Sequence, residues 1–257
     1  MRINTNVGAL NASKNAFINT MATESSMRKL SSGLRISRAA DDAAGLSIAN
    51  KLRAQSRSLT VASANAEQGG AMLQIAEGSA STIQRILERQ KELIIQRESS
   101  GNNESVTATL RAEIATLSKE VDRIIKATNF QGSTVFKSLE FQVSDGTIGN
   151  TVTVDASVTV GTVSLADTAS IGAVDDALTA INSVLANIGA GQNVLDYTVQ
   201  NLKSAVVNVR AAESTIRDVD MAEEMANYTK NNILTQAAQA MLSQANQSSQ
   251  SVLSLLR

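Results

Sequence analysis

Leu110, Ile114, Leu117, Val121 and Ile124 follow one another at spacings of four, three, four and three residues. Val174, Leu178, Ile181, Leu185 and Ile188 repeat the same spacing further along. An apolar residue every three or four positions draws one stripe down an α-helix, and a sustained stripe is the seam of a coiled coil. Proline, the strongest helix breaker, is absent from all 257 residues. Aromatic residues make up only 2% of the chain, which suits helices that approach closely on small side chains. The expected fold is mainly α, an elongated helical bundle or coiled-coil rod.

The helical pattern begins with Ile3, Val7, Leu10, Phe17 and Met21, with Asn4, Thr5 and Asn6 placed to cap its start. It resumes through Met27, Leu30 and Leu34 and meets "SSGLRISRAADDAAGLSIA", Ser31–Ala49. From Leu46 to about Arg97 it continues, weakened at Gly69, Gly70 and Gly78. "SSGNNES" reads as a loop, with Ser105 or Thr107 capping the next helix, and "TNFQGSTVF" (128–136) ends that helix. The period then changes to two. Val152, Val154, Ala156, Val158 and Val160 alternate with polar residues, and Asp145-Gly146 is a hairpin signal. This predicts a small β-hairpin region at about 135–170. Long helices return, with a break expected at "GAGQ" (189–192) and a last helix running to "SVLSLLR".

Composition removes most catalytic chemistry. There is no Cys and no His, hence no thiolate, no disulfide and no imidazole base or ligand. Asp41 and Asp42 are adjacent, and on a helix adjacent side chains diverge by about 100°, so they do not converge on one ligand. The plainer expectation is that Arg35 and Arg38 form local ion pairs with them. The glycines form no phosphate-cradling loop, and no Ser has a base. No enzyme activity, cofactor or metal is expected.

Charge is uneven. Residues 1–60 carry nine basic and three acidic side chains, whereas residues 135–200 carry one and seven. Glu213, Asp218, Asp220, Glu223 and Glu224 form a second acidic run, solvated or opposed to the basic N-terminal arm. With a net charge of −1, no nucleic-acid role is indicated. No segment has the length of a membrane span, and the N-terminus lacks an apolar stretch long enough for a secretory signal. Both termini instead carry apolar helical stripes, Ile3–Met21 and Val219–Leu256. They are either an ordinary intrachain pair or faces that bury only when copies associate.

Six stretches now combine: "MRINTNVGALNASKNAF", "LSSGLRISRAADDAAGLSIANKLRAQ", "QRILERQKELIIQ", "ATNFQGSTVF", "AAESTIRDVDMAEEMANYTKNNIL" and "SVLSLLR". In this order they resemble bacterial flagellin, over about residues 1–140 and 172–257, with only a short acidic β segment where many flagellins carry large outer domains. The resemblance implies a self-assembling filament subunit, extracellular and exported unfolded through the flagellar type III channel without a cleaved signal peptide. It implies residues 1–42 and 219–257 as paired inner helices lining the filament channel, and 43–218 as the surrounding rod-like domain. Its partners would be further copies of itself, hook-associated and cap proteins, and an export chaperone on Val219–Arg257.

Within that resemblance, Arg35, Arg38, Asp41 and Asp42 would set the register between subunits. Leu10, Phe17, Leu253 and Leu256 would contribute apolar assembly contacts. Gly33 and Gly45 would let the chain turn. Arg89, Leu93 and Glu113 match the positions at which many flagellins contact a vertebrate Toll-like receptor. The nearest alternative is a hook–filament junction protein, which shares such termini. An intracellular coiled-coil adaptor would fit the heptads but not the paired terminal motifs.

Overall fold

The structure is a computed structural model describing residues 5–99, 103–144, 151–158 and 170–255, with the side chains of 249, 250 and 252–255 outside the description. Among the described residues five long helices and four short strands follow one another: α1 Val7–Ser32, α2 Ala43–Glu98, α3 Glu104–Ala127, β1 Asn129–Phe130, β2 Ser133–Thr134, β3 Ser138–Gln142, β4 Thr151–Asp155, α4 Ile171–Arg217 and α5 Met221–Leu255. The fold is mainly α with a small antiparallel β region in mid-chain, as the periodicities predict. The chain divides into two compact units, Met1–Ala54 with Val209–Arg257, and Gln55–Asn208.

In the unit Gln55–Asn208, α2 runs antiparallel to both α3 and α4. The register against α4 is marked by Lys91 Nζ on Asp175 Oδ1 at 2.6 Å, Gln192 Nε2 on Glu77 Oε2 at 2.9 Å and Lys203 Nζ on Glu67 Oε1 at 2.8 Å. Between the three helices lies a core that includes Ile83, Leu87, Leu93 and Ile94 of α2, Ile114 and Val121 of α3, and Val174 and Ile181 of α4. Of the α3 stripe, Leu110, Ile114 and Val121 are buried in this core, and Leu117 and Ile124 are half-buried at its margin. Gln90 is fully buried in that core. Its amide donates to Ile114 O and Ser118 Oγ, at 3.3 and 3.0 Å, tying α2 to α3, while its Oε1 has no partner among the described residues.

The β part packs on α2 and α4. β1 and β2 form a tight hairpin whose two loop residues, Gln131 (φ 52°) and Gly132 (φ 80°), are both left-handed, the geometry that matches strand twist. β3 pairs antiparallel with β4, Ser138 opposite Asp155 through Gln142 opposite Thr151. Leu139 and Val154 are buried on one face, while Ser138, Glu140, Thr153 and Asp155 face out. Asp145-Gly146 and Val160 lie outside the described residues.

Three local expectations change. "GAGQ" does not break the chain: α4 is continuous through it. A Cβ on Gly191 would come within 2.8 Å of Val154 Cγ1, so this glycine lets β4 sit against the helix backbone. Gly69 does the same for β3, since a Cβ there would meet the Phe141 ring at 2.8 Å. Helices of this length are held by packing on one face, which outweighs the weak propensity of a glycine or two. Finally, α3 starts two to four residues earlier than expected: Asn103, not Ser105 or Thr107, is its N-cap, and no side-chain bond closes it.

Candidate functional site

In the unit formed by the two chain ends, α1 and α5 lie antiparallel. Asn6 Nδ2 donates to Ala245 O at 3.0 Å at one end, and Lys29 Nζ sits 3.7 Å from Glu224 Oε2 at the other. The residues turned inward on α1 are Ala9, Ala12, Ala16, Asn19, Thr23, Ser26 and Leu30, alternating steps of three and four. On α5 they are Glu224, Tyr228, Asn231, Thr235, Ala238, Leu242 and Ala245, with the same alternation. This is a coiled-coil seam built mostly from small and polar side chains. Such a seam permits close approach of the helices but removes little apolar surface from water.

The large apolar side chains of α1 point the other way. Val7, Leu10, Phe17, Ile18 and Met21 are exposed, Phe17 by 67% and Leu10 by 60%. At 3.6 residues per turn their mean direction is about 180° from the seam. The stripe read from the sequence is real, but it does not cover α5. On α5, Met225, Ile233, Leu234 and Met241 are exposed as well. Of the other terminal candidates, Leu253 lies in α5 with its side chain outside the description, and Leu256 lies outside the described residues.

The connector between α1 and α2 is built from the Arg/Asp motif. α1 closes at Gly33, which takes the left-handed conformation (φ 70°) while its N–H donates to Lys29 O. The chain then runs beside the segment linking α4 to α5: Arg35 N donates to Arg217 O at 2.6 Å, and Val219 N to Gly33 O at 3.1 Å. The Arg35 guanidinium donates to Ile216 O, 2.7 Å away, and the Arg217 Nε to Ile36 O at 3.3 Å. Ile36 is buried beneath this crossing.

Asp41 and Asp42 do not lie on a helix, contrary to the sequence expectation, and neither is ion-paired to Arg35 or Arg38 within the described residues. Asp41 Oδ2 accepts from Ser37 N, Ser37 Oγ and Arg38 N at 3.0 to 3.2 Å, closing the turn from Ser37 to Asp41. The backbone N–H bond from Arg38, followed by that from Ser37, holds its carboxyl below the usual carboxylate range. Asp42 Oδ1 accepts from Gly45 N at 2.9 Å and so caps α2. Gly45 is not a hinge but sits in the first turn of α2, where a Cβ would overlap the Asp42 carboxylate and approach Ile36 Cδ1 to 2.8 Å. Both aspartates therefore build the connector, leaving Arg38 exposed with its guanidinium unpaired to any described acid. A second fastening joins α2 and α4 in this unit: Arg53 places Nε and Nη2 on Glu213 Oε1 at 2.8 and 2.6 Å. Part of the acidic run near the C-terminus thus does meet the basic N-terminal arm. Asp220 instead caps α5 through Ala222 N and Glu223 N.

The end unit thus pairs two helices through a small-residue seam, leaves an apolar face of α1 exposed and joins its helices through a polar connector. The profile of the bacterial flagellin N-terminal helical region matches residues 3–140, and that of the C-terminal helical region matches residues 171–256. The chain belongs to the bacterial flagellins. It is 41% identical to a flagellin of Bacillus subtilis (strain 168) and 42% identical to a flagellin of Halalkalibacterium halodurans, each alignment covering the whole of both chains. It is also 37% identical, again over the whole of both chains, to the flagellar filament 33 kDa core protein of Treponema phagedenis. This flagellin is a structural subunit of the flagellar filament, and nothing in these matches favours a junction protein. Among its described residues no helix is long and apolar enough to cross a membrane.

The three positions expected to meet a receptor, Arg89, Leu93 and Glu113, do not share one surface. Arg89 Nη2 lies 3.5 Å from Glu113 Oε1, and both side chains are about half exposed. Arg89 also donates to Glu92 at 2.9 Å. Leu93, expected on the same helix face as Arg89, is 1% exposed and belongs to the core against α3 and α4. Residues four apart differ by about 40° around a helix, enough to carry one of them over the edge of the interior.

Proposed function

We propose that this flagellin polymerises by burying the outward stripe of α1, with Leu10 and Phe17 at its centre, against other copies, together with the apolar residues of α5 through Leu253 and Leu256. The observation that carries the reading is the reversal of the α1 helix: small residues face its partner, and large apolar ones face solvent. A face of five large apolar side chains is unfavourable in water and is relieved by association. The paired helices, about residues 1–42 and 219–257, form the inner layer lining the channel, and 43–218 the surrounding domain. Arg38 and the face around Arg35 meet a neighbouring subunit, while Asp41 and Asp42 hold the connector in the shape that contact needs.

The same exposed faces call for protection before assembly. A chaperone on Val219–Arg257 would mask α5 during export, and export through the flagellar channel needs no cleaved signal peptide. Hook-associated and cap proteins would bound the filament at its ends. The decisive test is seeded polymerisation, followed by light scattering and negative-stain microscopy. The full chain is expected to give long uniform filaments, and a chain of residues 43–218 none. Equal elongation by both would overturn the assignment of assembly to the end helices.

Receptor recognition rests on the exposed pair Arg89 and Glu113. A Toll-like-receptor reporter should respond to soluble monomer, and Arg89→Ala should weaken the response about tenfold, the equivalent of one lost charge-assisted contact. A silent reporter with the native monomer would end this reading.

A further inference from the structure

Methionine is ordinarily a buried residue. Here five of the six methionines in the described residues are about half exposed, between 48% and 63%: Met21, Met27, Met221, Met225 and Met241. All five belong to the unit formed by the chain ends. The sixth, Met72, is 9% exposed and sits in a core of the other unit. Met21 lies on the outward stripe with Leu10 and Phe17. Met225 lines an open apolar hollow on α5 with Ala226, Ile233 and Leu234. Flexible, polarisable thioethers suit a face that must pack against other copies. Their exposure also makes them the most readily oxidised side chains of a chain that has no cysteine.

We propose that these five methionines form an oxidation site that controls addition of the subunit to the filament. The oxidant is of the peroxide class. The thioether sulfur attacks one peroxide oxygen, an S–O bond forms as the O–O bond breaks, the sulfur loses two electrons and the other oxygen leaves as water. The product sulfoxide is a strong hydrogen-bond acceptor. Placed on a face that must become dry, it has no donor waiting for it, and burial becomes unfavourable. A thiol-dependent reductase returns the thioether, with the thiols oxidised to a disulfide and the oxygen released as water. The inference rests on the reading that these faces are covered by other copies.

The test treats full-length monomer with hydrogen peroxide and locates the sulfoxides by peptide mass spectrometry. Met21, Met27, Met221, Met225 and Met241 should oxidise well before Met72. Seeded elongation by the oxidised monomer should fall about tenfold or more, as expected for one buried, unpaired polar group. Methionine sulfoxide reductases A and B together, one for each sulfoxide epimer, should restore it with dithiothreitol. In assembled filaments the same residues should oxidise more slowly than in monomer. A variant with all five changed to Leu should elongate equally before and after peroxide. If that variant does not assemble, reversal by the reductases on the native chain decides the matter. Elongation at the untreated rate by monomer carrying all five sulfoxides would overturn the proposal, as would a loss that the reductases do not reverse. Failure of untreated monomer to extend seeds would instead overturn the assembly reading beneath it.

Discussion

Gly191 and Gly189 are two residues apart in α4, yet only one of them is needed. Val154 of β4 packs onto Gly191, and nothing lies within 4 Å of a Cβ at Gly189. Gly191→Ala should therefore cost about 1–3 kcal/mol through overpacking. Gly189→Ala should leave stability unchanged or raise it by up to about 1 kcal/mol. Urea unfolding of the two variants checks the contrast, and equal effects would mean that Val154 moves aside. Asp41 offers a second residue-scale measurement. Its folded carboxyl is held below the usual value, so its contribution is present above the free pKa of about 3.9 and is lost as the pH falls below it. The Asp41 carboxyl and the Ser37 and Arg38 amides, followed by NMR, should titrate together at a lower midpoint than in a short peptide. Neither role was visible in the residue string, where GAGQ read as a break and Asp41 as half of an ion pair. Both depend on what stands beside the residue in space.

For the elements, the heptad stripes of α3 and α4 predicted the interior directly, because in that unit apolar residues have one interior to face. At α1 the stripe alone left two readings open, an intrachain pair or a face buried between copies. Its apolar stripe and its partner helix lie on opposite sides, and the seam of Ala, Asn, Thr and Ser left no apolar signal to read. The two faces make separable predictions. Ala16→Leu adds bulk to the close seam and should destabilise the pairing of α1 with α5, read as loss of helicity in the unassembled chain. Phe17→Ala leaves the seam untouched and should keep that helicity within error, while seeded elongation falls about tenfold or more, in line with the removal of a large buried apolar side chain. A Phe17→Ala monomer that unfolds but still elongates would reverse the assignment of the faces. The short hairpin of β1 and β2 shows another limit. Gln131 is not a usual left-handed residue, and "TNFQGSTVF" read only as the end of a helix.

Over the whole molecule, the distribution of burial is uneven. The unit Gln55–Asn208 holds two apolar cores of its own, so the chain of residues 43–218 is expected to unfold cooperatively although it does not polymerise. Non-cooperative melting of that chain would place its stability in the end helices instead. The end unit buries few large apolar side chains, and its seam alone removes little apolar surface from water. The family was legible in the string, because motifs at both ends occur in a set order, and so was the mainly α class, because periodicity and the lack of proline are local properties of the chain. Which face of a helix turns inward, whether a glycine breaks a helix or admits a neighbour, and whether an aspartate pairs or caps were decided only by the tertiary structure. The helix face, the glycine and the chain crossing are settled by residues distant in sequence (Ala245 for Asn6, Val154 for Gly191, Arg217 for Arg35), and local pattern carries no record of such partners. The aspartates bond to residues three or four positions away, and there the backbone path of the turn, not the spacing, decides between a cap and an ion pair.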